Sequence, residues 1–437
     1  MSDAVFFAPA KGPLRGSVLC PPDKSISHRA ALFGAMADGR STIERYLVAE
    51  DTLSTLSAVA ALGATVTRDG DHVVIDGIGL NGAAGRRATI DVGNAGTLLR
   101  LLAGWLAGQA GVEVVLDGDA SIRTRPMRRI ITPLQQMGAH LIAQDNRFAP
   151  VQVSGRRLNG IDYRLPVASA QVKSCILLAG LGAKGKTVVI EEIPSRDHTE
   201  RMLHEAGVTI TREGPRIGVT AVERIAPVDR RIPGDPSSAA FMVAAALLVP
   251  GSAVDVEEVS SNWTRAGFLQ IARRMGGHVE GQLEAPGTSH TVRETTTTVR
   301  ARHGILNSTT VQAGEVPLAV DELPLVALLG CFAQPGEQTV VTGAEELRVK
   351  ETDRIAAVTE ELGKLGAQIQ ATEDGFIVTG TGGLVGGELN SRGDHRMAMV
   401  GALAGLASRD GVLVHDMAAA AVSYPGFSDD LAKVARA

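Results

Sequence analysis

One motif of roughly seventy residues recurs along the whole chain, and it constrains the fold more than any other feature of the sequence. Each copy has a short extended piece, a turn of polar or small residues, and a helix rich in Ala and Leu. Marker residues in the six turns are 70, 75, 68, 84 and 73 positions apart. The markers are Lys24, Asn94, Ser169, Ser237, Asp321 and Asp394. Six copies of one small motif predict a repeat architecture rather than one large core.

A second, more amphipathic helix separates successive apolar helices and ends on glycine. The endings are Leu62-Gly63-Ala64, Met137-Gly138-Ala139, Ala206-Gly207-Val208, Met275-Gly276-Gly277 and Leu365-Gly366-Ala367. Glycine at these places is typical of a helix C-cap, and β-branched strands joined by a turn generally follow. The repeat is therefore predicted as strand, helix, strand, helix, strand, strand, in an α/β fold.

The sixth copy stops after its second helix, which we place at residues 429–436. Residues 5–7 and 17–20 are positioned to supply the strands that it lacks, so we expect both ends of the chain in one domain. Three copies then make a domain of residues 22–232, and residues 1–21 with 233–437 make the other. Proline occurs in both connections between them, as in many hinge segments.

The first apolar helix opens with basic and hydroxyl side chains. Lys24, Ser25 and Arg29 follow Asp23, which is suited to an N-cap. Cations at this end oppose the helix dipole, and backbone N–H groups there bind anions, so the pattern is typical of an anion site. A solvated helix start is the alternative for one such stretch. Six starts on buried helices, three in each domain, favour a positively charged cleft between two domains.

Composition excludes several other classes of protein. The 437 residues include 43 basic and 48 acidic side chains and only 3% aromatics, which is too neutral and too poor in stacking surfaces for nucleic-acid binding. Three cysteines without metal-ligand spacing indicate free thiols in a reducing compartment. No apolar run approaches the ~20 residues of a membrane span and no signal peptide is readable, so we expect a cytoplasmic protein.

Three further segments carry clustered charges: residues 121–129, 194–201 and 347–354. A solvated, salt-bridged helix start is the alternative for each alone, with Pro126 suited to a helix first turn. Together with the helix starts, they favour a substrate that carries phosphate and carboxylate groups. Asp321 and Glu351 lie where such a site would hold a general acid and base. Asp321 as an N-cap and Glu351 as an ion-pair partner are the alternatives.

Several motifs occur in order along the chain. They are Asp23-Lys24-Ser25-x-Ser27-x-Arg29, Gly93-Asn94-Ala95-Gly96-Thr97-x-x-Arg100, Arg125-Pro126-Met127, Ser169-Ala170-Gln171-Val172-Lys173-Ser174, Arg348-Val349-Lys350-Glu351-Thr352-Asp353-Arg354 and Asp394-His395-Arg396-Met397-Ala398. Together they closely resemble the 3-phosphoshikimate 1-carboxyvinyltransferase (5-enolpyruvylshikimate-3-phosphate synthase) family, over essentially the whole chain. The resemblance implies a two-domain inside-out α/β barrel with three repeats per domain.

The resemblance also implies a reaction. The enolpyruvyl group of phosphoenolpyruvate passes to the 5-hydroxyl of shikimate 3-phosphate through a tetrahedral intermediate, phosphate is released, and no metal or organic cofactor takes part. Lys24 would contact both substrates, Asp321 would take the proton of the attacking hydroxyl, and Glu351 would manage the proton at the methylene carbon. We expect these two small molecules as partners, no nucleic acid or membrane, and a monomer.

The resemblance assigns binding residues to each substrate. Shikimate 3-phosphate would be bound by Lys24, Ser25, Arg29, Ser169, Gln171, Ser195, Arg196, Asp321 and Lys350. Phosphoenolpyruvate would be bound by Lys24, Gly96, Arg125, Gln171, Arg354 and Arg396.

Two positions depart from the pattern of some family members. Val422 stands where those members carry a lysine, and Glu346 stands where they carry an asparagine. With the Ser-Ala-Gln-Val-Lys-Ser run, they suggest the subgroup described as less sensitive to glyphosate. Gly96 argues for sensitivity, and both interpretations stay open.

Two other functions are alternatives. The UDP-N-acetylglucosamine enolpyruvyl transferases share the architecture, but they place a reactive Cys before Arg-Pro, and residues 118–122 contain none. That family also prefers Lys-Asn where this chain has Lys24-Ser25. A non-catalytic phosphometabolite-binding protein would keep the basic helix starts but would need neither Asp321 nor Glu351.

Overall fold

Helices and short strands alternate along the chain, as the repeat predicts. The computed structural model describes residues 3–436. Its α-helices are α1 Lys24–Met36, α2 Glu50–Ala61, α3 Gly96–Ala107, α4 Ala120–Thr124, α5 Arg128–Gln136, α6 Ala170–Gly180, α7 His198–Glu205, α8 Pro236–Leu248, α9 Gly267–Arg274, α10 Val316–Ala319, α11 Leu323–Cys331, α12 Arg354–Lys364, α13 His395–Ala407 and α14 Phe427–Arg436. Short 3-10 helices lie at Trp263–Arg265, Glu345–Val349 and Met417–Val422.

The strands are all short. They are β1 Ala4–Phe7, β2 Arg15–Leu19, β3 Arg40–Glu44, β4 Thr65–Asp69, β5 His72–Asp76, β6 Arg87–Asp91, β7 Glu113–Asp117, β8 His140–Gln144, β9 Phe148–Ser154, β10 Asp162–Arg164, β11 Lys186–Ile190, β12 Thr211–Glu213, β13 Arg216–Thr220, β14 Arg230–Arg231, β15 Ala253–Ser260, β16 His278–Glu280, β17 Thr296–Arg302, β18 Thr310–Val311, β19 Gln338–Val341, β20 Gln368–Ala371, β21 Phe376–Thr379, β22 Gly387–Asn390 and β23 Val412–His415.

These strands form six separate sheets, and none of them closes into a hydrogen-bonded barrel within residues 3–436. The orders are β14-β3-β5-β4, β6-β7-β9-β8, β10-β11-β13-β12, β16-β17-β15-β2, β18-β19-β21-β20 and β1-β23-β22. The sheet of β6 to β9 is typical. Strand β6 runs parallel to β7 across the buried helix α3, and β8 and β9 then add as an antiparallel hairpin.

The six apolar helices are buried on nearly every face, as predicted from their composition. Helix α8 has every residue buried, and α1 is buried from Ile26 to Met36. A helix that is apolar all round has no face for water, so it must lie inside a core. The other four, α3, α6, α11 and α13, are covered in the same way.

The chain divides into two compact units, each with its own core. The segments Pro22–Ile232 and Ser289–Arg293 make the first unit, with α1, α3 and α6 inside, and the remaining described residues make the second, around α8, α11 and α13. Strand β2 precedes α1 in sequence but pairs with β15 of the second unit. Strand β14 precedes α8 but pairs with β3 of the first unit. The strands that lead into α1 and α8 are therefore exchanged.

Strand β1 completes the last sheet, but the expectation that residues 17–20 also belong to it is wrong, because β2 pairs with β15 in a different sheet. Strand β1 pairs antiparallel with β23, with Ala4 opposite His415, where the other sheets have a hairpin strand from their own repeat. None of the helices between residues 3 and 436 combines the length and apolarity that crossing a bilayer requires.

Candidate active site

The start of α1 is a capped, basic turn. The Asp23 carboxylate accepts the backbone N–H of Ile26 at 2.8 Å, which caps the helix. The Lys24 ammonium lies 3.0 Å from the Asp51 carboxylate of α2, and 19% of the lysine side chain is exposed. One turn further on, His28 Nδ1 lies 2.6 Å from the Thr55 hydroxyl. Burial lowers the pKa of His28 to about 3, despite the nearby Asp51 carboxylate, so this imidazole is neutral.

Arg29 ties the start of α1 to two other helices. Its Nε donates to the Thr199 hydroxyl at 2.8 Å, and its Nη2 donates to the Ser174 hydroxyl at 2.9 Å. Its Nη1 donates to the Ser25 carbonyl oxygen at 3.0 Å. The predicted site residue Arg29 is thus buried and held by two hydroxyls that the sequence did not single out as binding groups.

The starts of α3 and α6 also meet through side chains. The Gln171 amide donates to the Thr97 hydroxyl at 2.8 Å and accepts from Arg100 Nη1 at 2.5 Å. Arg100 is 3% exposed, although it lies in an otherwise apolar helix. Polar residues of the two first turns therefore converge at one place in the first unit.

Gly96, the first residue of α3, lies beside two guanidinium groups. A Cβ added to it would be 2.9 Å from Arg100 Nη1 and 3.2 Å from Arg125 Nη1. Arg125 donates to the Asn94 side-chain oxygen and, at 3.2 Å, to the Ser121 hydroxyl. The absence of a side chain at position 96 leaves room for both cations.

The loop from residue 191 to 197 carries two residues predicted to bind shikimate 3-phosphate, Ser195 and Arg196. Ser195 is buried, and both its backbone N–H, at 3.1 Å, and its hydroxyl donate to the Glu191 carboxylate. Arg196 is half-buried beside it. The Ser169 hydroxyl caps α6 by accepting the N–H of Val172 at 3.5 Å.

In the second unit, the Arg354 guanidinium gathers three carboxylates. Its Nε lies 2.8 Å from Asp394, its Nη2 lies 2.6 Å from Glu351, and its Nη1 lies 3.2 Å from Asp321. Burial opposes the charge of Arg354, but Asp394 and the other two carboxylates raise its pKa above the ordinary value. Although burial opposes ionisation of Asp394, Arg354 lowers the pKa of this fully buried carboxyl. The cluster therefore keeps one cation and its main counter-ion charged inside the protein.

Asp321 lies among cations and does not cap a helix. Lys350 Nζ is 3.6 Å from its Oδ1, and Arg396 Nη2 is 3.8 Å from its Oδ2. Glu322 occupies the N-cap position of α11 and makes no side-chain cap bond. Asp321 is therefore not the N-cap of α11, and Glu351 does form the ion pair with Arg354 that the sequence suggested.

Other local expectations were only partly right. Pro126 does not begin a helix, because α4 ends at Thr124 and α5 starts at Arg128. Glu351 precedes α12, whose N-cap is Asp353. The sequence motifs that contain Arg100 and Lys173 assign them no role. A charged residue inside an apolar helix is nevertheless a signal of a buried polar network. Thr199 offered no such signal.

The two units carry complementary chemistry. The first brings together cations, hydroxyls and helix N-termini, which bind phosphate and carboxylate groups. The second holds the carboxylates Asp321 and Glu351 among Lys350, Arg354 and Arg396. Carboxylates among cations are suited to proton transfer on an anionic substrate. These features define an enzyme class that acts on small, multiply charged molecules.

The comparisons with known proteins agree with that class. The family model for EPSP synthase (3-phosphoshikimate 1-carboxyvinyltransferase) matches residues 9–431. The 3-phosphoshikimate 1-carboxyvinyltransferase of Brevibacillus brevis is 44% identical over 424 residues, covering 97% of this chain and 98% of the relative. That of Bacillus thuringiensis is 43% identical over 429 residues, covering 98% of each chain. A solved EPSP synthase from Acinetobacter baumannii has 37% sequence identity and a TM-score of 0.85, covering 100% of this chain and 98% of that one.

The chain belongs to the EPSP synthase family. Its fold is the two-domain inside-out α/β architecture that the repeat and the resemblance predict. The sheets of each unit stay separate around the buried helices, so the word barrel describes their arrangement in the family and not a closed hydrogen-bond ladder.

Proposed function

We propose that the protein transfers the enolpyruvyl group of phosphoenolpyruvate to the 5-hydroxyl of shikimate 3-phosphate. The reaction gives 5-enolpyruvylshikimate 3-phosphate and phosphate, a step of aromatic amino acid biosynthesis. The observation that carries this proposal is the Arg354 cluster, since one buried guanidinium holds Asp321 and Glu351, the two carboxylates to which the resemblance assigns proton transfer. A protein that only bound phosphometabolites would not need two carboxylates fixed in this way.

The proposed chemistry has two stages. In the addition stage, the 5-hydroxyl oxygen bonds to C2 of phosphoenolpyruvate while its proton passes to Asp321, and Glu351 delivers a proton to the methylene carbon C3. In the elimination stage, Glu351 takes a proton from the new methyl group, the double bond re-forms, and the C2–O bond to phosphate breaks as the leaving phosphate takes the proton from Asp321. The protons balance, and no oxidant, metal or organic cofactor is required.

The basic side chains supply the electrostatic part of catalysis. We assign shikimate 3-phosphate to a set that shares hydroxyls, amides and cations: Lys24, Ser25, Arg29, Ser169, Gln171, Ser195, Arg196, Asp321 and Lys350. We assign phosphoenolpyruvate to Lys24, Gly96, Arg125, Gln171, Arg354 and Arg396. Fixed donors such as Arg29, which is already held by Ser174 and Thr199, need no reorganisation when charge develops.

The pairing of Lys24 with Asp51 bears on its role. A partly exposed ammonium that is already oriented can bind a phosphate or carboxylate without a change of side-chain rotamer. We therefore propose that Lys24 contacts both substrates, so that it contributes to turnover as well as to binding. A cytoplasmic location and a monomeric state also belong to this proposal, and light scattering after size-exclusion chromatography tests the second.

Phosphate release from phosphoenolpyruvate tests the function directly. We expect release that depends on shikimate 3-phosphate and falls by ~10²–10⁴-fold in Asp321→Asn and Glu351→Gln. UDP-N-acetylglucosamine is the control acceptor, because release with it alone would establish the sister reaction instead. Binding of shikimate 3-phosphate without any release would favour the non-catalytic alternative.

A further inference from the structure

A fully buried ionic cluster contacts the loop that carries Ser195 and Arg196. Lys173 is the fourth residue of α6, beside Val172 and Ser174, and its side chain has no exposed area. Its ammonium lies 2.8 Å from Glu191 and 2.8 Å from Glu200, both also buried. Burying three ionisable groups is costly unless each is paired, so an arrangement of this kind needs a reason beyond stability.

The cluster is connected to the loop through Glu191. This carboxylate accepts the Ser195 backbone N–H at 3.1 Å and also accepts the Ser195 hydroxyl. Lys173 Nζ adds a bond of 3.4 Å to the Ser195 carbonyl oxygen. The N–H, hydroxyl and carbonyl groups of Ser195 are therefore all bonded to Glu191 or Lys173. These bonds fix the backbone that leads into Arg196.

The same two helices also orient Arg29. Ser174, the residue after Lys173, and Thr199, the residue before Glu200, share a hydrogen bond of 2.6 Å and both accept from Arg29. The ion pair between Lys173 and Glu200 thus joins α6 to α7 next to these hydroxyls. The buried ions and the hydroxyls that hold Arg29 are therefore adjacent residues on both helices.

The two glutamates are not equivalent. Burial raises the pKa of Glu200 against the attraction of Lys173, and Asp197 and Glu191 add to the increase. Glu191 is the partner that contacts the loop, because it accepts bonds from Lys173 and from two groups of Ser195.

We infer that Glu191 and Lys173 are positioning residues for the substrate's phosphate group: they hold the backbone of Ser195 and so place Arg196, the next residue, to bind it. This inference rests on the proposed function for the identity of the phosphate, which is that of shikimate 3-phosphate. Neither residue touches the reacting atoms. Their removal should therefore weaken binding of one substrate and leave the other unaffected.

Glutamine substitutions separate the two glutamates. In Glu191→Gln, the amide NH₂ replaces an oxygen that accepts from Lys173 or Ser195, so at least one of these hydrogen bonds is lost. We expect this loss to raise the KM for shikimate 3-phosphate about tenfold. The KM for phosphoenolpyruvate should stay within about twofold. Glu200→Gln leaves the bonds between Glu191 and Ser195 in place, so both KM values should stay within about twofold. Lys173→Met would leave two buried carboxylates unpaired and is less informative because it threatens folding.

Glu361→Gln is the matched control. Glu361 is buried in the second unit and also pairs with two cations, Lys364 at 2.8 Å and Arg392 at 2.7 Å. It should alter thermal stability without altering either KM. Ser195→Ala in the Glu191→Gln background should add less than it does alone, because both changes remove the same interaction. Equal effects on both KM values, or fully additive effects, would overturn the inference.

Amide hydrogen exchange decides the question independently of activity. In the substrate-free protein, the Ser195 amide should exchange about tenfold faster in Glu191→Gln than in wild type, and it should be unchanged in Glu200→Gln and Glu361→Gln. Unchanged exchange in Glu191→Gln would refute the positioning role. If the wild-type protein neither binds nor turns over shikimate 3-phosphate, the proposed function fails, and the exchange result still decides whether the cluster holds the loop.

Discussion

Replacing Gly96 by alanine should weaken phosphoenolpyruvate binding without destabilising the protein. The new Cβ would lie 2.9 Å from Arg100 Nη1 and 3.2 Å from Arg125 Nη1, whereas ordinary contacts begin at 3.4 Å. Neither guanidinium is loose, because Arg100 bonds Gln171 at 2.5 Å and Arg125 bonds Asn94. At least one cation must therefore move by several tenths of an ångström.

The magnitude follows from what that movement breaks. A hydrogen bond to a charged group contributes about 1.5–3 kcal/mol, so losing one toward the substrate should raise the KM for phosphoenolpyruvate by about tenfold to a hundredfold. Against this, alanine at a helical position restricts the unfolded chain and adds about 0.4–1 kcal/mol of stability. The expected signature is a higher KM together with an unchanged or higher Tm.

Steady-state kinetics with shikimate 3-phosphate at saturation measures the first quantity, and thermal denaturation measures the second. Gly363→Ala is the control, since Gly363 lies inside α12 and a Cβ there meets nothing within 4 Å. It should raise Tm and leave both KM values unchanged. A Gly96→Ala enzyme whose KM for phosphoenolpyruvate stays within about twofold of wild type would refute the reasoning.

Three further predictions concern single side chains. Lys24→Ala should lower kcat at least about tenfold and raise both KM values, and an unaffected kcat would contradict a role in turnover. Glu351→Gln should lower kcat by ~10²–10⁴-fold with KM values changed less than about threefold, so an effect confined to KM would reject proton transfer. The pKa of His28 is lowered from 6.5 to about 3 in the folded protein. Between these values, the imidazole is protonated in the unfolded chain and neutral in the folded one. Stability should therefore fall by about 2 kcal/mol from pH 7.5 to 5, and less in His28→Gln, as compared by chemical denaturation at both pH values. Equal losses in the two proteins would count against a buried neutral imidazole.

Much of the architecture could be predicted because it follows from local patterns. The apolar helices lack a polar face, so their burial is a consequence of composition, as α8 demonstrates. Glycine at the end of the second helix, for example Gly138 with a φ of 96°, marks a left-handed C-cap that sequence reveals directly. The pairing of β2 with β15, instead of with the sixth repeat, could not be predicted, because strand partners far apart in sequence leave no periodic signal.

The sequence likewise reveals some residues of the candidate site and not others. The basic helix starts reveal residues such as Lys24 and Arg29, because a cation in a first turn opposes the dipole and calls for an explanation. The supporting partners are a different matter. Lys173 signals a buried pair by its place in an apolar helix, but nothing in the sequence says that Glu191 and Glu200 are its partners, 18 and 27 positions further on. The role of Asp321 was undecided for the same reason, since a cap and an ion pair use the same residue type.

The exchanged strands have a consequence for biosynthesis. The segment Pro22–Ile232 contains every strand of the three sheets of the first unit, including β14, so this unit can assemble soon after residue 232 has left the ribosome. Strand β1 must wait for β23, more than 400 residues later, and β2 must wait for β15. Until then, Val5 and Phe6 lie on a strand without a partner. We therefore expect a chaperone to bind β1 and β2 during synthesis.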